Sequence, residues 1–168
     1  MLTRSIATLL LLPLTAVCWF DAGWTEQRAR EHWLKLSQQK DIREAMRAAW
    51  ARSLVGTSGF EAGFRLDGDA NDYRIVPVSA GHSPGHLEVA IAGPGEARTF
   101  AIFHVHPNAS GPEPSNPRTS RNGRGDTSVA DEFEISVFVM HRRGLTVYDH
   151  SLRQNIPLHT GLKWAQEE

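Results

Sequence analysis

Thr99-Phe100-Ala101-Ile102-Phe103-His104-Val105-His106-Pro107 is an apolar run that ends in two histidines and a proline. The β-branched Thr99 and Ile102, followed by a stretch rich in Pro, Asn, Gly and Ser, mark a strand that leads into a loop. Side chains alternate across a strand, so His104 and His106 share a face, about 7 Å apart along the backbone. Two imidazoles held in this way can bind one metal ion, with metal–nitrogen bonds of about 2 Å. Pro107 has no N–H for a ladder and ends the strand. The plainer use of such a pair is two half-exposed histidines at a strand end, and H-x-H alone does not separate the two. The rest of the chain has to supply the remaining parts of a site.

Downstream, residues 108–125 contain Pro112, Pro114 and Pro117 and little apolar content, which identifies a long exposed loop. Asp126 to Phe133 then reads as a short helix with Asp126 as N-cap and Val129, Ala130 and Phe133 as its inner face. Val137 to Met140 is a strand, His141 to Gly144 a turn, and Leu145 to Tyr148 another strand. From Asp149 onward the pattern is mixed and signals no element. Upstream, Glu61 to Leu66 and Tyr73 to Val76 form a hairpin around the turn Asp67 to Asn71. Leu87 to Ile91 alternates as a further strand, and Gly93-Pro94-Gly95 turns the chain into the histidine strand.

Thr25 to Leu54 is helical. Trp33 and Leu36 begin an apolar face that Ile42, Ala45, Met46, Ala49 and Trp50 continue at helical spacing. Asp41-Ile42-Arg43-Glu44 has the form of a capping box, so two helices meet near Lys40-Asp41, and Gly56 stops the second. Tryptophans at this spacing are core or helix–sheet packing groups. Helices first, then a sheet with a helix inserted late, make an α+β fold: a mixed β-sheet flanked by helices, with an N-terminal helical segment. The chain divides into an N-terminal segment (1–22), a helical segment packing on the core (23–56), the main domain (57–150) and a C-terminal tail (151–168).

A chain of 168 residues with 40% hydrophobic residues suits one such domain. The formal net charge of −1 speaks against a nucleic-acid partner, which calls for a basic excess. The single cysteine, Cys18, precludes an intrachain disulfide and a cysteine-based zinc site. Arg4 and the α-amine form a positive n-region ahead of the apolar run Ile6 to Val17, which Pro13 interrupts. This has signal-peptide proportions and is short for a spanning helix. Export with cleavage to the periplasm or the exterior is the first reading. An uncleaved anchor and lipidation at Cys18 follow, the latter lacking a small residue at Val17.

Two imidazoles need a carboxylate or a third imidazole to complete a metal site, and an open position if the metal is catalytic. Asp126 is the best candidate, because it opens a helix after a loop long enough to fold back over His106. Its plainer use is as a helix N-cap. Asp131, in Ser128-Val129-Ala130-Asp131, is the rival ligand, although it lies mid-helix. His82 and His86 read as loop residues, and His141 and His150 as surface ones. A cupin would need a Glu shortly after H-x-H and a later His, a spacing that Glu113 and His141 fit badly. A mononuclear iron oxygenase uses H-x-D, which is absent at this point.

With these residues in order, the chain resembles the JAB/MPN (JAMM) metallopeptidase superfamily, in particular its exported bacterial branches. Glu61-Ala62-Gly63-Phe64 looks like the family's opening strand, and His104-Val105-His106-Pro107 matches its metal motif. Asp126 to Asp131, Val137 to Met140, Gly144-Leu145 and Tyr148-Asp149 look like its helix and final strands. The resemblance spans about Gly59 to Asp149. It implies Zn2+ held by His104, His106 and Asp126, with Glu61 as general base for hydrolysis of an amide or isopeptide bond. It further implies a peptide or protein substrate, which for an exported chain would belong to the cell envelope. The loop before Asp126 is longer than the family's. Gly123 stands where the family has a Ser that binds the oxyanion, and Ser120 and Ser128 are the candidate substitutes. The alternative is a catalytically inactive binding or toxin-associated module of the same fold, which can still hold the metal.

Overall fold

The computed structural model describes residues 23–78, 89–90, 97–116 and 125–165. The expected N-terminal leader, with Cys18, lies outside them, as do His82, His86, Ser120, Gly123 and most of the strand expected at 87–91. Two helices, α1 (Glu26–Ser37) and α2 (Lys40–Arg52), precede a hairpin of β1 (Gly63–Gly68) and β2 (Tyr73–Val78). Then come β3 (Thr99–Val105), α3 (Asp126–Phe133), β4 (Ser136–His141), β5 (Gly144–Asp149) and β6 (Gln154–Thr160), with a 3-10 turn at Gly161–Trp164. The fold is α+β. One six-stranded sheet runs in the order β2-β1-β3-β4-β5-β6, antiparallel throughout except for the parallel pair β3 and β4. Parallel strands need a crossover, and α3 lies in it.

Alternation along the strands assigns the two faces. Phe64, Leu66, Phe103, Val105, Phe138, Met140, Leu145 and Val147 pack with Trp33, Leu36, Ile42 and Met46 of α1 and α2. Three rings from adjacent strands stack in register there, with centroids 4.7 Å apart for Phe64–Phe103 and 3.9 Å for Phe103–Phe138. Trp33 is a packing group, set edge-on to Phe138, and its indole N–H donates to buried Asp149 at 2.7 Å. The opposite face carries Ile102, Val137 and Tyr148 against Ala130 of α3 and Ile135. His104 shares the parity of Ile102, so the histidine pair belongs to the α3 face.

Several boundaries differ from the sequence expectations. Asp41 is no N-cap: α2 begins at Lys40 behind Gln39, and Asp41 accepts from the N–H of Ile42 and the hydroxyl of Tyr73. Asp126 is the first residue of α3, and Gly125 is the cap. Phe133 is 41% exposed, because α3 stops after eight residues at Glu134, whose φ is 53°, and Ile135 takes the core position instead. His141, expected at the surface, is fully buried at the end of β4 and accepts from the N–H of Arg143. His150 is half-buried beside Ser136.

The residues after Asp149 form the edge strand β6, with Pro157 exposed. At an edge its missing N–H deprives no ladder partner. Beyond α2, Leu54 and Val55 have φ of 50° and 52°, a left-handed conformation that costs a non-glycine residue about 1–2 kcal/mol.

Candidate metal centre

Strand β3 delivers His104 and His106 to the α3 face, and the neighbouring elements bring carboxylates to them. Gly63 of β1 lies directly opposite His104. A Cβ on Gly63 would come within 2.2 Å of the Phe103 carbonyl oxygen, so only glycine permits this approach. The ladder continues one step past β1, where the N–H of Val105 donates to the Ala62 carbonyl at 2.9 Å. Glu61, the next residue out, therefore sits beside the imidazoles and is buried with them. Glu61, His104 and His106 each offer a donor atom, and these atoms all lie within 4.8 Å of one another. The buried trio is close enough to bind a metal ion.

Asp126 reaches the same place from α3. Its Oδ1 lies 3.4 Å from Nε2 of His104, and its Oδ2 lies 3.2 Å from Nε2 of His106. Glu61 Oε2 stands 3.8 Å from Nε2 of His104. Gly125 allows α3 to start there: a Cβ on it would come within 2.6 Å of the Ser115 carbonyl oxygen. The loop leaving His106 is thereby pressed onto the helix start, and the N–H of Thr127 donates to that carbonyl.

Hydrogen bonding fixes what each group can do. Nδ1 of His106 lies 3.0 Å from the Gly111 carbonyl oxygen. A carbonyl only accepts, so Nδ1 carries the proton, and the neutral ring turns a lone pair at Nε2 towards Asp126. Asp126 Oδ2 is itself an acceptor, taking the backbone N–H of Ser115 at 2.7 Å and its hydroxyl at 2.9 Å. Two acceptors 3.2 Å apart require a cation between or beside them, either a proton or a metal ion. Nε2 of His104 is buried and has no hydrogen-bond partner among the described residues, although two carboxylates flank it. An orphaned imidazole nitrogen beside carboxylate oxygens is a donor set suited to a divalent transition metal.

The charges agree. Burial works to lower the pKa of His104, but Asp126 and, to a lesser extent, Glu61 override it and raise it to about 9. Burial works to raise the pKa of Asp126, and His104 and His106 hold it well below the usual carboxylate range. The site is thus built to retain positive charge.

Of the other residues considered, Asp131 is paired elsewhere, accepting the Tyr148 hydroxyl at 3.0 Å, with Arg153 at 4.0 Å. Ser128 lies in the first turn of α3, its N–H bonded to the Gly125 carbonyl. Ser120 lies outside the described residues. The hydroxyl that does touch Asp126 belongs to Ser115, which also accepts from the N–H of Asp126 at 3.1 Å. Sequence reasoning missed it, because a serine between two prolines carries no periodic signal. No family model, curated protein or solved structure matches this chain.

Proposed function

We propose that the protein is a zinc-dependent hydrolase of amide or isopeptide bonds, built on a JAB/MPN-like fold, acting on a peptide or protein of the cell envelope after export. The observation that supports this most directly is the orphaned, buried His104 Nε2 between Asp126 and Glu61, beside a His106 whose Nδ1 is already committed to Gly111. His104, His106 and Asp126 would hold the ion. Bound there, zinc would supply a water of lowered pKa and polarise the carbonyl under attack.

The residues divide the remaining work. Gly111 fixes the tautomer of His106 so that Nε2 is the free donor. Ser115 holds Asp126 through its N–H and hydroxyl and so orients the carboxylate. Glu61 is buried beside His104 without being part of the Asp126–Ser115 network, which suits a base that takes a proton and later delivers it to a leaving amine. Ser115 offers the hydroxyl nearest to Asp126, and to serve in place of Gly123 it would have to turn its O–H away from Asp126 Oδ2.

The test is hydrolysis of peptidoglycan fragments and amide-linked peptides with and without chelator, together with Glu61→Gln. Zinc retained with hydrolysis lowered by roughly 10²-fold or more assigns Glu61 as the base. Loss of the zinc itself makes Glu61 a ligand, with His104 and His106. Absence of cleavage by metal-loaded wild type across the panel leaves a metal-holding binding module.

A further inference from the structure

We infer that the groove between α1 and the edge strand β6 binds a phosphorylated sugar or polyol, at a place separate from the histidine centre. A cavity of about 470 Å³ opens there, within the size range of small-ligand sites. Glu26 and Arg30 from the start of α1, Pro157 to Thr160 of β6, and Lys163 of the 3-10 turn line it. β6 is the outermost strand, with β4 and β5 between it and the histidine strand β3.

Charge identifies one part of the ligand. Arg30 and Lys163 are exposed, and neither belongs to an ion pair among the described residues. Their charges converge with that of Arg43 from α2 on the half-buried His159. Burial lowers the pKa of this imidazole, and Arg43, Lys163 and Arg30 lower it further. Three cations from three elements thus bear on one point of the groove. A guanidinium and an ammonium hold a phosphate through charge-assisted hydrogen bonds, the guanidinium with two in parallel. The neutral His159 adds one N–H donor.

The remaining lining indicates what the phosphate is attached to. Glu26 is exposed and pairs with neither cation among the described residues. Its carboxylate disfavours a second anionic group and accepts from hydroxyls. The Thr160 hydroxyl both donates and accepts. Pro157 offers an apolar surface to a C–H face, and without an N–H it cannot bond an added peptide strand at the sheet edge. One anion joined to hydroxyls and a C–H face is the chemistry of a sugar or polyol phosphate.

The test titrates full-length, zinc-loaded protein with glucose 6-phosphate and with glucose, reading binding by calorimetry and the His159 ring protons by NMR. The ester should bind about tenfold tighter or more and raise the pKa of His159. Arg30→Gln/Lys163→Gln should weaken the ester by about tenfold or more. Both residues are exposed, so this variant should unfold at an unchanged temperature. Metal-free protein should bind the ester equally well, which separates the groove from the zinc. Vesicles of phosphatidylglycerol, set against phosphatidylcholine, distinguish the sources: retention on the first, reversed by glucose 6-phosphate, assigns a lipid headgroup, and binding of the free ester alone assigns a soluble ligand. Binding of neither, equal affinity for glucose and its phosphate, or affinity that survives in Arg30→Gln/Lys163→Gln or departs with the zinc overturns the site. So does binding seen only once residues 166–168 are removed, since the chain's own Glu167 and Glu168 would then be the occupants.

Discussion

His106 presents Nε2 to Asp126 Oδ2 at 3.2 Å while its Nδ1 is fixed on the Gly111 carbonyl. The contact is stable only with a cation at hand, and on the proposed reading Asp126 would share that cation with the two imidazoles. Asp126→Asn keeps the shape and removes the charge. Zinc affinity should fall beyond the roughly 100-fold that outer-shell changes cause. Asp131→Asn, which removes only the charge beside Tyr148 and Arg153, should leave it unchanged. Competition with a chromophoric chelator measures both, and equal losses would remove Asp126 from the centre.

Acidity should act on the metal-free protein from two sides. His104 has its folded pKa raised from 6.5 to about 9, so its stabilisation is complete below 6.5 and is lost as pH rises through about 9. Asp126 is held well below 3.8, so its contribution is present above 3.8 and is lost as pH falls below that value. Thermal unfolding of the metal-free chain should therefore be most resistant between about pH 4 and 6.5. A metal ion needs the imidazole deprotonated, so the stabilisation given by zinc should grow from pH 6.5 towards 9. Zinc binding near neutral pH should release about one proton per chain from His104, which calorimetry in buffers of different ionisation enthalpy can count. No proton release would mean that His104 is already neutral in the metal-free state.

Gly63 sets the distance between β1 and β3 at the site. Gly63→Ala places a methyl group 2.2 Å from the Phe103 carbonyl oxygen, a backbone atom that cannot yield cheaply. The strands must separate, with a loss of about 1–3 kcal/mol of stability, and Glu61 moves away from His104. Denaturant titration checks the first effect. An unperturbed unfolding midpoint would show that β1 can shift without cost.

Much of this arrangement was legible in the chain. Strand alternation placed His104 and His106 on one face, Pro107 ended the strand, and the helix after the loop brought Asp126 to them. What was not legible depended on closure instead of period. Ser115 reaches Asp126 because a proline-rich loop folds back onto Gly125. His141 is buried because the residues after β4 turn in under Trp164, whose indole donates to the His141 carbonyl. β6 was hidden by Pro157, a residue that argues against a strand anywhere except at an edge. Leu54 read as the last helical residue, since nothing in the composition of Leu54-Val55 announces a left-handed turn.

Ser115 gives the last prediction. It holds Asp126 three times over: by its N–H, by its hydroxyl, and by accepting the N–H of Asp126. Ser115→Ala removes the two contacts that use Oγ and keeps the backbone one, so α3 should still form. The carboxylate should then be less well oriented, with zinc affinity lowered by about 10- to 100-fold. Hydrolysis at saturating zinc separates the two uses of the hydroxyl. If Ser115 only positions Asp126, activity returns once the metal is restored. If its hydroxyl also stabilises the oxyanion, kcat stays depressed with the site full, by up to about 10²–10³-fold. Ser128→Ala is the comparison, because the Ser128 hydroxyl has no hydrogen bond to Asp126 or either imidazole among the described residues. Matching losses in Ser115→Ala and Ser128→Ala would place the effect in the helix and not in the hydroxyl.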